Sequence, residues 1–304
     1  MVNMQNIPFK ELRQHYPFQS RYLNIDRHRL HYIDEGEGTP IVMLHGNPTW
    51  SFYYRHLIKT FSSGYRTIVP DHIGCGLSDK PAATDYPYTL DRRVSDLDIL
   101  ISSLQLKEKI TLVVHDWGGM IGMAWAIRHP ERVGRIIVLN TAAFFHPGGK
   151  RLPLRLQFIR NASLFSKPAV LGLNLFARSA LYMAAKKPIH KDIGKCLLAP
   201  YDSWKNRIAT YRFVTDIPVR PSDTSFHTVS TVSKNLEKLR HLPVLICWGK
   251  HDFVFDLDYF NEWRQRFPEA EAHIFEEAGH YILEDAPERV ANYMSEFFDK
   301  TDSF

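Results

Sequence analysis

The sequence runs to 304 residues, 44% hydrophobic and 23% charged, with a formal net charge of +5. Such a chain can bury one large core, and the balance is that of a soluble globular enzyme with no internal repeat or low-complexity segment. Three scattered cysteines, Cys75, Cys196 and Cys247, argue for free thiols and against a zinc site, and no apolar run reaches the roughly 18 residues of a membrane span. Met1–Phe18 shows no apolar core of signal-peptide type, so a soluble cytoplasmic protein is expected.

In chain order, Arg21–Ile25 and Arg29–Ile33 read as a hairpin around Asp26-Arg27-His28. Pro40–His45 is a buried strand that runs into Gly46-Asn47-Pro48, and Ser51–Phe61 suits a short amphipathic helix. Tyr65–Pro70 is the next strand, followed by the glycine-rich loop Asp71–Gly76. Leu90, Val94, Leu97, Ile101 and Leu104 recur at helical spacing. Strand Ile110–His115 delivers Asp116-Trp117-Gly118-Gly119, then an apolar helix-periodic run, Met120–Ile127; Arg135–Asn140 is a further strand. From about Phe145 to Arg220 the alternation stops. Helix-like segments such as Ala169–Met183 and Trp204–Val214 replace it, broken by Pro147, Pro168, Pro188 and Pro200. Alternation resumes with strand Pro243–Trp248, a helix around Tyr259–Phe267, strand Ala272–Phe275 and a closing helix from Pro287. This pattern predicts an α/β fold with a mostly parallel, doubly wound sheet, its ligands at the carboxyl ends of the strands. Residues 1–144 and 221–304 are expected to form the core domain, and 145–220 an inserted helical cap.

Charge sets the middle apart. Residues 146–220 hold 14 Lys/Arg and 3 Asp/Glu, a net of +11, which leaves −6 for the remainder. The plain explanation is a solvated basic helical face. The sharper ones are a surface for acidic lipid, for an acidic partner protein or for an anionic substrate. No nucleic-acid motif accompanies the charge, so nucleic acid is not expected as a partner.

The strand, sharp turn and helix around Asp116 have the form of a nucleophile elbow, which lifts one side chain above a sheet. Asp stands where such turns usually carry Ser. A Ser that attacked saturated carbon would form an ether, which water does not readily open; an Asp forms an alkyl ester, whose carbonyl an activated water can attack. The residue therefore points to displacement at sp³ carbon, although a helix N-cap is the ordinary use of an Asp in this position. Two further groups follow predicted strands. Asp252 lies in Trp-Gly-Lys-His-Asp-Phe and His280 in Glu-Ala-Gly-His-Tyr. Asp256, Glu276 and Glu277 compete for the acid role, and the position of Asp252 directly after its strand selects it. Nucleophile, acid, histidine is the chain order of α/β-hydrolase sites. His280 would take a proton from water, Asp252 would hold its tautomer, and Asp116 would carry the ester. The backbone N–H groups of Asn47 and Trp117 would form the oxyanion hole. The Asn47 amide and the Trp117 indole N–H would face a departing halide. Neither a cofactor nor a metal enters this scheme.

The segments HGNPTW (45–50), VHDWGG (114–119), WGKHDFVF (248–255) and Ala278–His280 resemble those of haloalkane dehalogenases in the α/β-hydrolase superfamily. The resemblance covers nearly the whole chain and is weakest in the cap. It implies Asp116 as nucleophile, His280 as base, Asp252 as acid, and Asn47 with Trp117 as the halide pair. Asn140, where other members place an acid, resembles the third dehalogenase subfamily. That subfamily includes β-lactone decarboxylases of bacterial long-chain alkene biosynthesis, and PDHIGCGLSDKP (70–81), SFYYR (51–55) and NRIATYRFVTDIP (206–218) resemble that group. Two activities on a small hydrophobic substrate are therefore expected. Carbon–halogen cleavage is placed first, and β-lactone decarboxylation on the same residues follows it. The basic cap would then suit partner enzymes or a membrane surface. Epoxide hydrolysis is a third reading and needs a phenolic acid in the cap, for which Tyr182, Tyr201 and Tyr211 are the candidates. Trp117 in place of Arg speaks against fluoroacetate-type defluorination, and the complete set of polar residues speaks against a non-catalytic member of the fold.

Overall fold

Eight strands form one sheet in a computed structural model that describes residues 9–301. The reading of Met1–Phe18 therefore falls partly outside the described residues. The strands are β1 (Ser20–Ile25), β2 (His28–Glu35), β3 (Pro40–Leu44), β4 (Arg66–Pro70), β5 (Ile110–Asp116), β6 (Val133–Thr141), β7 (Val244–Gly249) and β8 (Glu271–Phe275). Their order is β1-β2-β4-β3-β5-β6-β7-β8. The first two neighbouring pairs are antiparallel and the rest parallel. The hairpin forms as expected: Ile25 faces His28 across the turn, and Asp26 takes the left-handed φ of +52° that such a turn demands.

Strand periodicity explains the apolar runs. On β3, Val42 and Leu44 enter one core while Ile41 and Met43 enter the other; on β6, Ile136 and Val138 oppose Ile137 and Leu139 in the same way. Both faces of the central strands are buried, so β3, β5 and β7 carry no solvent-facing side, whereas the edge strands β1 and β8 keep polar, exposed positions. Helices Leu90–Ser103, Trp117–Arg128 and Leu257–Arg266 cover the first face, and Arg55–Phe61 with Pro287–Thr301 the second.

Between β6 and β7 the chain makes an inserted, helical layer. Its longer segments are Leu154–Asn161, Leu175–Met183, Lys191–Leu198 and Ile208–Thr215, and a last helix, Phe226–Asn235, returns the chain to the first core through Val229 and Val232. Three expected helices are divided, two of them in this layer. Ala169–Met183 is interrupted by Asn174, which adopts φ +55° and donates its amide to the Tyr201 carbonyl at 3.1 Å. Trp204–Val214 begins as one tight turn, Lys205–Arg207, before the regular helix. Ser51–Phe61 divides similarly into a tight turn, Ser51–Tyr54, which buries Phe52, Tyr53 and Tyr54 together, and the helix Arg55–Phe61. Among the described residues no helix is long and apolar enough to cross a membrane.

Candidate active site

Asp116 closes β5 with φ +50° and ψ −124°, a backbone state that costs an L-residue about 1–3 kcal/mol and persists only when its surroundings enforce it. The surroundings are specific. The Thr141 hydroxyl donates to the Asp116 carbonyl. Gly118 lies against the Leu44 carbonyl and Gly46 against the Asp116 carboxylate, so a Cβ at either position would overlap them. The turn therefore works only with these two residues reduced to backbone.

The buried Asp116 carboxylate accepts the Asn47 backbone N–H at 2.6 Å and a second backbone N–H from Trp117. Burial pushes its carboxyl above the ordinary range, opposed by the His280 charge and by these two donors. The groups expected to form an oxyanion hole thus cradle the carboxylate already. An ester formed through Oδ2, the oxygen nearer His280, would develop its oxyanion on Oδ1, which the Asn47 N–H already holds.

His280 stands opposite. Its Nε2 lies 3.7 Å from Asp116 Oδ2, and its Nδ1–H donates to Asp252 Oδ2 at 2.8 Å. Burial lowers the His280 pKa, but the Asp252 charge and hydrogen bond, with Asp116, outweigh it, and the imidazole ends above its usual value. Asp252 is fully occupied: it also accepts Asn140 Nδ2 at 3.0 Å and the backbone N–H groups of Val254 and Phe255 at 2.7 and 2.9 Å.

Sequence reasoning missed four contributors. Asn140, noted only as a position without an acid, donates to Asp252 and to the Gly249 carbonyl, and its Oδ1 accepts the Gly249 N–H at 2.7 Å. It clamps the end of β7 and the acid together. His115 donates Nε2–H to the His280 carbonyl at 2.9 Å and packs its ring 4.7 Å from that imidazole. Thr141 supports the elbow. Thr210, from the helical layer, accepts Asn47 Nδ2 at 3.0 Å through its carbonyl. None of the four has a local sequence signature, since each acts across a strand or helix boundary.

Thr210 qualifies one expectation. The Asn47 amide does not present both hydrogens to open space; one goes to Thr210, and its Oδ1 is buried without a partner. The Trp117 indole N–H makes no hydrogen bond among the described residues, and its ring sits 5.2 Å from Phe213. The three tyrosines considered for epoxide opening are placed differently. Tyr182 faces solvent, Tyr201 donates its hydroxyl to the Thr49 carbonyl at 3.2 Å, and Tyr211 packs with Val170 and Leu171.

Among the described residues no group of three or more His, Cys, Asp or Glu is arranged to hold a metal ion. The sequence profile for the alpha/beta hydrolase fold matches residues 39–287. The chain belongs to the α/β-hydrolase fold family. This α/β-hydrolase is 49% identical over 288 residues to a cis-3-alkyl-4-alkyloxetan-2-one decarboxylase of Shewanella oneidensis, a match covering 94% of this chain and 90% of the relative. It is 30% identical over 298 residues to haloalkane dehalogenase 2 of Mycobacterium tuberculosis, covering 96% and 99%. Its fold superposes on the crystal structure of the haloalkane dehalogenase DatA of Agrobacterium tumefaciens with a TM-score of 0.82, at 24% identity over 93% of this chain and 97% of that one. The family and the enzyme class read from the motifs both stand.

Proposed function

We propose that this enzyme decarboxylates β-lactones that carry two alkyl chains, with Asp116 as nucleophile, His280 and Asp252 as its partners, and Asn47 with Trp117 on the leaving group. The observation that carries the reading is the 49% identity to the Shewanella oxetan-2-one decarboxylase along 94% of the chain, against 30% to the dehalogenase. That difference reverses the order in which the motifs alone placed the two activities.

The chemistry follows from the cradle. Asp116 attacks the sp³ ring carbon that bears oxygen, and the carbon–oxygen bond breaks with its electron pair on the departing oxygen, which becomes a carboxylate. The Trp117 indole N–H and the remaining Asn47 N–H receive that charge. The bond between the carboxylate carbon and its neighbour then supplies the electrons of a carbon–carbon double bond, while the Asp116 ester bond breaks. Carbon dioxide and alkene leave, and Asp116 returns as a carboxylate. Attack with inversion and anti elimination convert a cis-lactone to a cis-alkene. No water is consumed.

A second reading, haloalkane hydrolysis, is favoured by the unoccupied Trp117 N–H. It differs after the first step, because His280 must activate water to open the ester. The deciding experiment supplies a cis-3,4-dialkyl-oxetan-2-one and, separately, 1-bromohexane, and measures alkene, carbon dioxide and bromide. Alkene and carbon dioxide in equal amounts, lost in Asp116→Asn, are expected. Bromide with no alkene would replace the first reading by the second.

We propose further that 145–220 acts as a cap domain over the core 1–144 and 221–304, in a cytoplasmic protein whose buried cysteines stay reduced. The basic helical face is proposed to dock partner enzymes or a membrane surface.

A further inference from the structure

Residues 150–191 contain nine Lys/Arg and no Asp or Glu. Lys150 pairs with Asp256 and Asp258, and Arg160 with Asp223; the other seven make no ion pair among the described residues. The same stretch carries seven of the thirteen large hydrophobic side chains that are exposed, Leu154 at 82%, Leu164 at 80% and Phe165 at 68% among them. Leu154 and Phe158 lie four residues apart on one helical face, Leu164 and Phe165 follow directly, and Leu173 and Leu175 flank the Asn174 turn. The Arg155 guanidinium reaches Met183 Sδ at 2.9 Å, which brings the far end of the third segment beside the first. Greasy tips and unpaired cations therefore share one surface.

Beneath it, Val170, Leu171 and Tyr211 form a small apolar cluster with Ile159 and Phe176, separate from the two main cores. Tyr211 belongs to the helix Ile208–Thr215 that also supplies Thr210 to Asn47 and Phe213 to Trp117. A single helix separates the exposed layer from the nucleophile.

We propose that this face binds an anionic lipid bilayer peripherally. The Lys and Arg side chains sit on the headgroups, and Leu154, Phe158, Leu164 and Phe165 enter the boundary with the acyl chains. Charge favours an anionic lipid surface over a protein partner: residues 150–191 hold nine Lys/Arg and no carboxylate that would pair with a partner's cations, beside apolar tips of the kind an acyl boundary takes up. Docking here lets a dialkyl substrate pass from the bilayer to the site without crossing water; that last clause rests on the proposed lactone activity, and the docking itself does not.

The test is flotation of the full chain with vesicles of phosphatidylcholine alone and with phosphatidylglycerol added. Association with the anionic vesicles only is expected, weakening steeply between about 0.1 and 0.5 M salt as the charges are screened. Lys167→Gln, Arg178→Gln and Lys191→Gln together should weaken it about 100-fold, and Leu164→Ser with Phe165→Ser about tenfold or more. All five positions are exposed, so each variant should keep its thermal midpoint and its turnover of a short, water-soluble substrate. Asp116→Asn should float like the wild type, which separates failure of docking from failure of the lactone reading. Absence of flotation with anionic vesicles would overturn the proposal, as would binding indifferent to the Leu164/Phe165 change, or capture by an acidic protein in its place.

Discussion

The carboxyl ends of β5, β7 and β8 and the helical layer between β6 and β7 are built on opposite terms. In the first region the charged groups are buried and saturated: Asp252 accepts four hydrogen bonds, and Asp116 is cradled by two backbone N–H groups and faced by His280. In the second, seven of the nine cations of 150–191 have no ion-pair partner among the described residues, and Leu154–Asn161 buries no residue fully. Fixing a reacting atom to within a fraction of an ångström requires side chains that have nothing else to bond. Attracting a surface or a greasy substrate requires only charge and apolar area in the right place. The contrast predicts that substitutions in the first region change rates and those in the second change where the enzyme works.

The largest effect is expected from Asp116→Asn, which should lower kcat by about 10⁴-fold or more while leaving the thermal midpoint unchanged or raised. Retained turnover within tenfold would remove Asp116 from the chemistry. His280→Ala separates the two activities. With a bromoalkane it should release one bromide per enzyme and stop, with an alkyl adduct on the Asp116 peptide visible by mass spectrometry. With a lactone, which needs no water, it should keep turning over, about 10²-fold slower. Asn140→Ala should cost about 10²-fold in kcat and about 1–3 kcal/mol in stability, since it leaves the buried Gly249 N–H without its acceptor and takes one of four donors from Asp252. Asn140→Asp should be worse at neutral pH, because it sets a second carboxylate against Asp252.

The pH profile is a finer test. The Asp116 carboxyl is held above 3.8 by burial, and it must be ionised to attack, so activity should fall as pH drops through a point higher than an ordinary aspartate would give. His280 is held above 6.5 and must be neutral to activate water. Bromoalkane turnover should therefore rise through a second, more alkaline limb that lactone turnover lacks. Leu164→Ser should have the smallest effect on stability, within about 0.5 kcal/mol by thermal melting.

Much of this was legible in the chain itself. Ile110–Val114 and Pro243–Trp248 are apolar on both faces, which only a buried parallel strand requires, and the residues at their ends are the ones that meet. The division at Asn174 was not legible, because it depends on the Tyr201 carbonyl 27 residues away. The work of Asn140 was hidden for the same reason: an amide after a strand is unremarkable until its neighbour's N–H is known. Long-range hydrogen bonds leave no periodicity to read.

The bond from Asn47 to the Thr210 carbonyl bears on how such enzymes diversify. Asn47 touches Asp116 through its backbone and the inserted helices through its side chain. A chimaera whose inserted helix sat differently would thus move this main-chain acceptor away from the amide, and would alter the proposed leaving-group pocket before any residue of the recipient had been substituted. Recombination at this seam is a route to new chemistry as well as to new substrate size, and a graft meant to alter size alone should hold the helix backbone at Thr210 in its present place against Asn47.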